Sequence, residues 1–221
     1  SYSEAFRAPK PWDYTDGLGN MDLKPEEMKS AELAFRLFPK PWLRLDLSLY
    51  RNELDNAISQ MFTPDGGYFW GNRGKVQTRG LELMSEFKSG QNDFQVGYTW
   101  TDSRDELGKS LAEISRHMLF STLTYRSENG FWANLRFHFT GKREASRPIS
   151  TSGDTRLDPS FVVNASLGYT HRSGLEMQLI SRNLLNEEYY HPSNRPPARY
   201  RQPQRMILFS VAYRYHESQK P

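Results

Sequence analysis

The side chains with most chemistry to offer sit in connecting segments, not in a tight catalytic spacing. Segment 185–203 carries Tyr189, Tyr190, His191, Arg195, Arg199, Tyr200 and Arg201, and segment 60–73 carries Phe62, Tyr68, Phe69, Trp70 and Arg73. Segment 9–29 adds Trp12 and Tyr14, and segment 143–158 adds Arg143, Arg147 and Arg156. Arginine offers a rigid fork of donors to anionic oxygens. Aromatic rings offer stacking area, and a guanidinium over a ring adds a cation–π attraction. Together they suit a bulky, anionic, partly aromatic ligand such as a ferric chelate. Trp12, Tyr14, Arg147, Tyr190, His191, Arg195 and Arg199 are therefore the candidate ligand-binding residues. The same residue types also fit an aromatic girdle at a membrane interface, with arginines against lipid phosphate. For Tyr68 and Trp70, which adjoin strand ends, the girdle is the expectation.

Other chemistries lack their residues. The five histidines show no metal-ligand spacing and no His-Glu-x-x-His, so neither a metal nor a cofactor is expected. The chain has no Gly-rich nucleotide loop, no Gly-x-Ser-x-Gly elbow and no cysteine. The pairs Glu26-Glu27 and Glu187-Glu188 read as loop charges, and an enzyme is not expected. With 29 Lys+Arg against 26 Asp+Glu, the net charge of +3 is too mild for a nucleic-acid partner. No apolar run reaches the roughly 18 residues of a spanning helix, and mean hydropathy is -0.77. Barrel strands, which alternate, remain compatible with such a value.

The elements that must position these residues announce themselves by period-two alternation. Ile207, Phe209, Val211, Tyr213 and Tyr215 oppose Met206, Leu208, Ser210, Ala212 and Arg214. Leucines 43, 45, 47 and 49 oppose Arg44, Asp46, Ser48 and Tyr50. Segments 94–101, 131–141 and 161–170 repeat the pattern. Short turns are expected near Pro39-Lys40-Pro41, Ser89-Gly90-Gln91, Glu128-Asn129-Gly130 and Arg172-Ser173-Gly174, alternating with long connections at 9–29, 60–73, 103–114, 143–158 and 185–203. Ser110 and Glu113 have capping-box spacing, which allows a helical turn over 107–114. The fold class is thus all-β: about ten antiparallel strands with tight turns at one rim and long loops at the other, as in transmembrane barrels. A soluble β-sandwich also alternates. It would not place Arg44, Asp46, Arg136 and His138 in mid-strand on one face.

Several runs are similar, in order, to those of TonB-dependent outer-membrane receptors. They are Ser3-Glu4-Ala5-Phe6-Arg7-Ala8-Pro9, Leu23-Lys24-Pro25-Glu26, and Tyr50-Arg51-Asn52 leading to Asp55-Asn56-Ala57-Ile58. Asn72-Arg73-Gly74 running to Gly80-Leu81-Glu82, Gly97-Tyr98-Thr99-Trp100-Thr101-Asp102-Ser103, and Ile114-Ser115-Arg116-His117 follow, with Asn183-Leu184-Leu185-Asn186-Glu187-Glu188-Tyr189 last. The resemblance implies a barrel of about 22 strands filled by an N-terminal plug. It also implies TonB-driven import of iron–siderophore complexes, haem, cobalamin or similar nutrients across the outer membrane of a Gram-negative bacterium. The match is to the C-terminal half of such a barrel over 1–215, with a polar tail at 216–221 where such proteins usually end on an aromatic residue. The plug and TonB box, through which TonB would act, have no counterpart in these residues. Phe6-Arg7-Ala8-Pro9 and a partial second box, Asn20-Met21-Asp22-Leu23, flank no histidine, which disfavours haem.

The leading expectation is uptake of a ferric siderophore or similar metal chelate by a monomer contacting lipopolysaccharide and outer-membrane lipid. The alternatives are a cobalamin or haem receptor, or a surface module such as an adhesin or a colicin or phage receptor. Counting strands back from the last makes every tight turn periplasmic and every long connection extracellular.

Overall fold

A computed structural model describes residues 1–193 and 196–214. Arg195, Tyr215 and the tail 216–221 lie outside the described residues. The strands are β1 (Tyr2–Arg7), β2 (Glu26–Lys40), β3 (Leu43–Asp55), β4 (Ile58–Phe62), β5 (Tyr68–Asn72), β6 (Val76–Ser89), β7 (Asn92–Arg104) and β8 (His117–Arg126). They continue with β9 (Phe131–Thr140), β10 (Arg143–Glu144), β11 (Arg156–Leu157), β12 (Ser160–Thr170), β13 (Leu175–Arg182), β14 (Tyr190–Pro192), β15 (Arg199–Arg201) and β16 (Met206–Tyr213). One ten-stranded sheet runs β1-β2-β3-β6-β7-β8-β9-β12-β13-β16, and three two-stranded hairpins, β4-β5, β10-β11 and β14-β15, stand in the long connections.

Tight turns and long connections alternate as the pattern requires. Pro41–Trp42, Gly90–Gln91, Ser127–Gly130 and His171–Gly174 join neighbouring strands closely. Gly130 shows why one such turn needs glycine: its φ is +88°, and a Cβ there would meet the Thr170 carbonyl oxygen at 2.2 Å. Two expectations need correction. The first turn comes later than expected, because β2 runs through Pro39 to Lys40. Segment 107–114 forms turns without a helix, and the helix among the described residues is the five-residue α1 (Pro11–Thr15), where a proline opens the first turn.

The chain forms two compact units. Unit 1 comprises Ser1–Ala34, Ser48–Leu81 and Thr101–Leu111; unit 2 comprises Phe35–Leu47, Glu82–Trp100 and Ala112–Pro221. Within unit 2 the register separates two faces. Thr122 stands opposite Arg136 and Thr124 opposite Asn134; Asn134 in turn opposes Ser166, and Gln178 opposes Ser210. The alternate residues pair Leu123 with Leu135, Phe137 with Val163, and Leu179 with both Leu167 and Phe209. That apolar face is open: Leu123 is 41%, Leu167 57% and Phe209 67% exposed, and no large side chain among the described residues is fully buried. A sandwich would cover this face with a second sheet, so the sandwich reading falls. The inverted pattern is that of a sheet whose apolar face meets an apolar solvent.

The polar face of unit 2 carries a ladder of charges. Arg36 pairs with Asp46 at 2.6 Å, Arg44 with Asp46 at 3.1 Å and with Glu86 at 2.8 Å, and Lys88 with Glu86 at 2.7 Å. Most of these side chains are exposed, so solvent screening leaves each pair little net stabilisation. Their effect is to hold charged side chains across neighbouring strands on one face.

Aromatic pairs border the tight turns of unit 2. Phe131 and Tyr169 lie 4.5 Å apart, and Trp42 meets Phe87 edge-on at 5.1 Å. Such rings, with an apolar body and a polar edge, suit the boundary between lipid and water.

Candidate ligand-facing site

In unit 1 the recurring sequence runs become ties between segments. Arg7 stands directly opposite Glu26 and forms an ion pair with it. Glu26 also accepts the backbone N–H of Ile58 at 2.7 Å. Asn72 donates to the carbonyls of Lys24 at 2.9 Å and Asn56 at 2.7 Å, and its Oδ1 accepts the N–H of Lys24 at 2.8 Å. Two of the recognisable runs thus meet through one carboxylate, and a third ties the first long connection down.

That connection is seated on the β4-β5 hairpin by Asp16. Tyr68 and Trp70 donate to its two oxygens, each at 3.0 Å. Bonds from the Trp70 indole and then the Tyr68 hydroxyl hold the Asp16 carboxyl below its ordinary value. Gly17 follows at φ +67°, where a Cβ would lie 2.2 Å from the Tyr68 carbonyl oxygen. Asn20 adds a bond to the Trp70 carbonyl at 2.9 Å. Tyr68 and Trp70, expected in an interface girdle, lie on β5 and turn their polar ends to a carboxylate of the first long connection. Trp12 lies on α1, 56% exposed, with the Lys10 ammonium 4.9 Å from its ring. Tyr14 is half-buried, and its carbonyl accepts the N–H of Asn20 at 2.8 Å.

Unit 2 holds a different arrangement. Asn183 leaves β13 at φ +50°, a conformation asparagine tolerates. Its side chain accepts the Glu187 N–H at 2.8 Å and donates to the carbonyls of Glu187 and Pro203. This closes the base of the connection and raises the β14-β15 hairpin. On that hairpin the Arg199 guanidinium lies 4.2 Å over the Tyr190 ring, and Tyr190 donates to Glu188 at 2.6 Å. Arg201 bonds the other Glu188 oxygen at 2.9 Å. The Tyr190 bond, then the Arg201 charge, hold Glu188 below its ordinary value.

Arg143, on β10, reaches across to the Tyr190 carbonyl at 3.0 Å. Its Nε is buried and meets no hydrogen-bond partner among the described residues. Burial lowers the Arg143 pKa. Desolvation, then the charges of Arg143 and His138, also hold His191 below its ordinary value. The His191 ring stands edge-on to Tyr189 at 5.8 Å. Arg143 is thus a guanidinium whose donor set is incomplete beside a histidine that its own charge helps hold neutral, an arrangement that favours an anion at the guanidinium.

Of the candidates, Tyr190, His191 and Arg199 come together, with Arg143, Glu188 and Arg201 added. Arg147 is exposed on the connection beyond β10. Trp12 and Tyr14 belong to unit 1. Arg143 was visible in the sequence only as one loop arginine among several, because nothing in residue order shows that its Nε is buried. Glu188 read as a solvated charge because its partners Tyr190 and Arg201 flank a turn. Asp16 carried no signal, since both of its donors lie more than 50 residues away.

The polar face of unit 2 also lines a cavity of about 690 Å³, bounded among others by Asp93, Thr122, Arg126, Trp132, Arg136 and Gln178. It reaches the tight turn at Ser127 and Gly130. No group of three or more acidic or histidine residues among the described ones could hold a metal ion, and no described helix is long and apolar enough to cross a membrane. The latter says nothing of strands.

Known proteins match this arrangement. A family model described as TonB dependent receptor-like, beta-barrel, matches residues 1–184. A vitamin B12 transporter of Vibrio vulnificus, BtuB, is 29% identical over 191 residues, covering 86% of this chain and 30% of the transporter. Among solved structures, the ferripyoverdine receptor of the outer membrane of Pseudomonas aeruginosa superposes with a TM-score of 0.78 at 17% identity, over 96% of this chain and 30% of the receptor. The ferric-catecholate import receptor Fiu of E. coli K12 superposes at 0.77 with 19% identity, over 95% and 32%. The chain thus spans about a third of the length of the relatives it matches. With the family's runs in order and its alternation of tight turns and long connections in one ten-stranded sheet, the chain belongs to the TonB-dependent receptor-like β-barrel family.

Proposed function

We propose that this chain forms part of an outer-membrane receptor of a Gram-negative bacterium that takes up a ferric siderophore or similar anionic metal chelate. In this reading the tight turns face the periplasm and the long connections face outside. A plug contributed by other residues of the protein fills the polar side of the sheet and couples uptake to TonB. The exposed apolar face supports the membrane assignment. Leaving a large apolar side chain in water forfeits about 1.5–3 kcal/mol, and such residues recur on every strand of that face.

The observation that carries the ligand class is Arg143. Its Nε is buried without a partner among the described residues while its Nη2 bonds the Tyr190 carbonyl, and an anionic oxygen would complete its bonds. Charged hydrogen bonds of this kind contribute about 1.5–3 kcal/mol each. The full-length protein in detergent is expected to bind a ferric catecholate or hydroxamate, read by quenching of tryptophan fluorescence. Arg143→Ala should weaken that binding by at least about tenfold. Unchanged affinity in the variant would sink the assignment.

Cobalamin is the second reading, favoured by the 29% identity to a vitamin B12 transporter. Titration of the same protein with cyanocobalamin separates the two. For topology, a cysteine at Asp154 should react with an impermeant reagent on intact cells, and one at Asn129 should not; the opposite pattern would reverse the orientation.

A further inference from the structure

The charges on the polar face of unit 2 fall into two groups. Across β2, β3 and β6 they pair with one another, from Arg36 through Asp46, Arg44 and Glu86 to Lys88. Across β8, β9 and β13 stand Arg126, Arg136 and Arg182, all exposed, and no ion pair joins them to a carboxylate among the described residues. Arg136 is opposite Asn164 on β12. The register that sets Ala165 against Ser181 brings Arg182 beside Asn164 from the other side. With Asn134 and Gln178, these residues line a cavity of about 320 Å³ that no described acidic side chain borders.

Asn134, Arg136, Ser166 and Gln178 also border the cavity of about 690 Å³, so the two spaces form one trough. Arg126 and Trp132 line its wider part. The Trp132 indole rests against Gly168, where a Cβ would meet its Cε2 at 2.2 Å. Asp93, the one acidic residue among the described ones lining that part, lies at the tight-turn end, where it faces the Lys88 charge.

The trough begins at the ligand-facing site. The Asn164 side-chain oxygen accepts the N–H of Asn183 at 2.9 Å, and Asn183 closes the base of the connection that carries Tyr190 and His191. His138 is close enough for its charge to act on His191, and Arg136 follows two residues along the same face of β9, a step of roughly 7 Å. Guanidiniums without carboxylate partners repel one another unless anionic oxygens join them. Their forks, the carboxamide donors and an indole suit an anion that carries aromatic rings.

We propose that this trough is a second station for the imported anionic chelate, which Arg136 and Arg182 hold below the loop site before Arg126 and Trp132 receive it toward the tight turns. The proposal rests on the reading that the ligand is an anionic metal chelate. The plug then leaves a passage along the β8-β9-β12-β13 wall, while the self-paired charges of β2, β3 and β6 offer no station.

The test is equilibrium dialysis of the full-length protein in detergent against radiolabelled ferric tris-catecholate. The unaltered protein should bind it in a tight class and in a second, weaker class. R136Q/R182Q should lose the weaker class, its Kd raised at least about tenfold, and keep the Kd of the tight class within about twofold. Arg143→Ala should do the reverse. R136K/R182K keeps both charges and should retain the weaker class, which separates loss of charge from loss of fold. A single class on the unaltered protein would overturn the proposal, since other residues of the protein would then fill the trough. So would a weaker class that survives R136Q/R182Q. Binding in neither class would instead overturn the ligand reading, and the station with it.

Discussion

Two long-connection regions of similar composition are built in opposite ways. In unit 1, residues 9–25 and the β4-β5 hairpin satisfy each other: Asp16 takes Tyr68 and Trp70, Asn72 takes Lys24 and Asn56, and Asn20 takes Trp70. In unit 2, the β14-β15 hairpin and β10 gather Arg143, His191 and Arg199 and leave a buried Nε without a partner. Aromatic and charged residues occur in both. The first region ties most of its polar side chains to its own architecture, while the second leaves the Arg143 Nε buried without a partner among the described residues. Composition marks both as candidate binding loops; the pairing separates a scaffold from a site.

The comparison can be broken most forcefully at Gly17. Gly17→Ala forces a side chain into a left-handed conformation and against the Tyr68 carbonyl. It should destabilise the unit 1 loop by about 1–3 kcal/mol or more. Limited proteolysis of the full-length protein should then cut within 9–25 at least about tenfold faster, with chelate affinity at unchanged occupancy of the unit 2 loop left intact. A resistant variant would mean the loop is not held as described.

Next in size is Arg199→Ala, which removes the cation over Tyr190. A loss of about 0.5–2 kcal/mol of ligand binding is expected, read as a several-fold rise in Kd without faster proteolysis of 9–25. Trp12→Ala and Tyr14→Phe should do less, changing Kd by under about twofold, since surface changes usually stay within ±0.5 kcal/mol. A larger loss would return unit 1 to the binding surface.

The smallest expected effect distinguishes the regions by pH. His191 is held below its ordinary 6.5, so its neutral form is the one the fold favours. Its contribution is complete above 6.5 and is lost as pH falls through the lowered value. Asp16 is held below its ordinary 3.8, so its contribution persists above 3.8 and is lost only as pH falls through a value lower still. Between these limits, hydrogen exchange corrected for intrinsic rate should rise in 190–192 and 199–201 and stay constant in 68–72. Equal behaviour of the two hairpins would remove the distinction.

The alternation of strands was plain in the residues because a sheet with one apolar and one polar face repeats every second side chain. Leu43 to Leu49 against Arg44 to Tyr50 identifies the faces without a partner strand. The long connections were harder. The helix at Pro11–Thr15 and the hairpins β4-β5 and β14-β15 lack strong periodicity, and their bonds join residues far apart in sequence. Ser110 and Glu113 matched a capping pattern, yet the segment folds as turns bonded back to β7, where Leu111 donates to the Ser103 carbonyl. The recurring runs were recognisable by type, but their role in tying Arg7 to Glu26 or Asn72 to Lys24 was not.

By itself, then, the amino-acid order determined the class of fold, the two faces of each strand and the family, because these depend on local side-chain period and on short runs. It nominated loop residues by type alone. Tertiary structure decided which of them share a site and that Arg143 keeps a buried donor unpaired. Pairing and burial are relations between distant segments, and they arise only when the strands come into register.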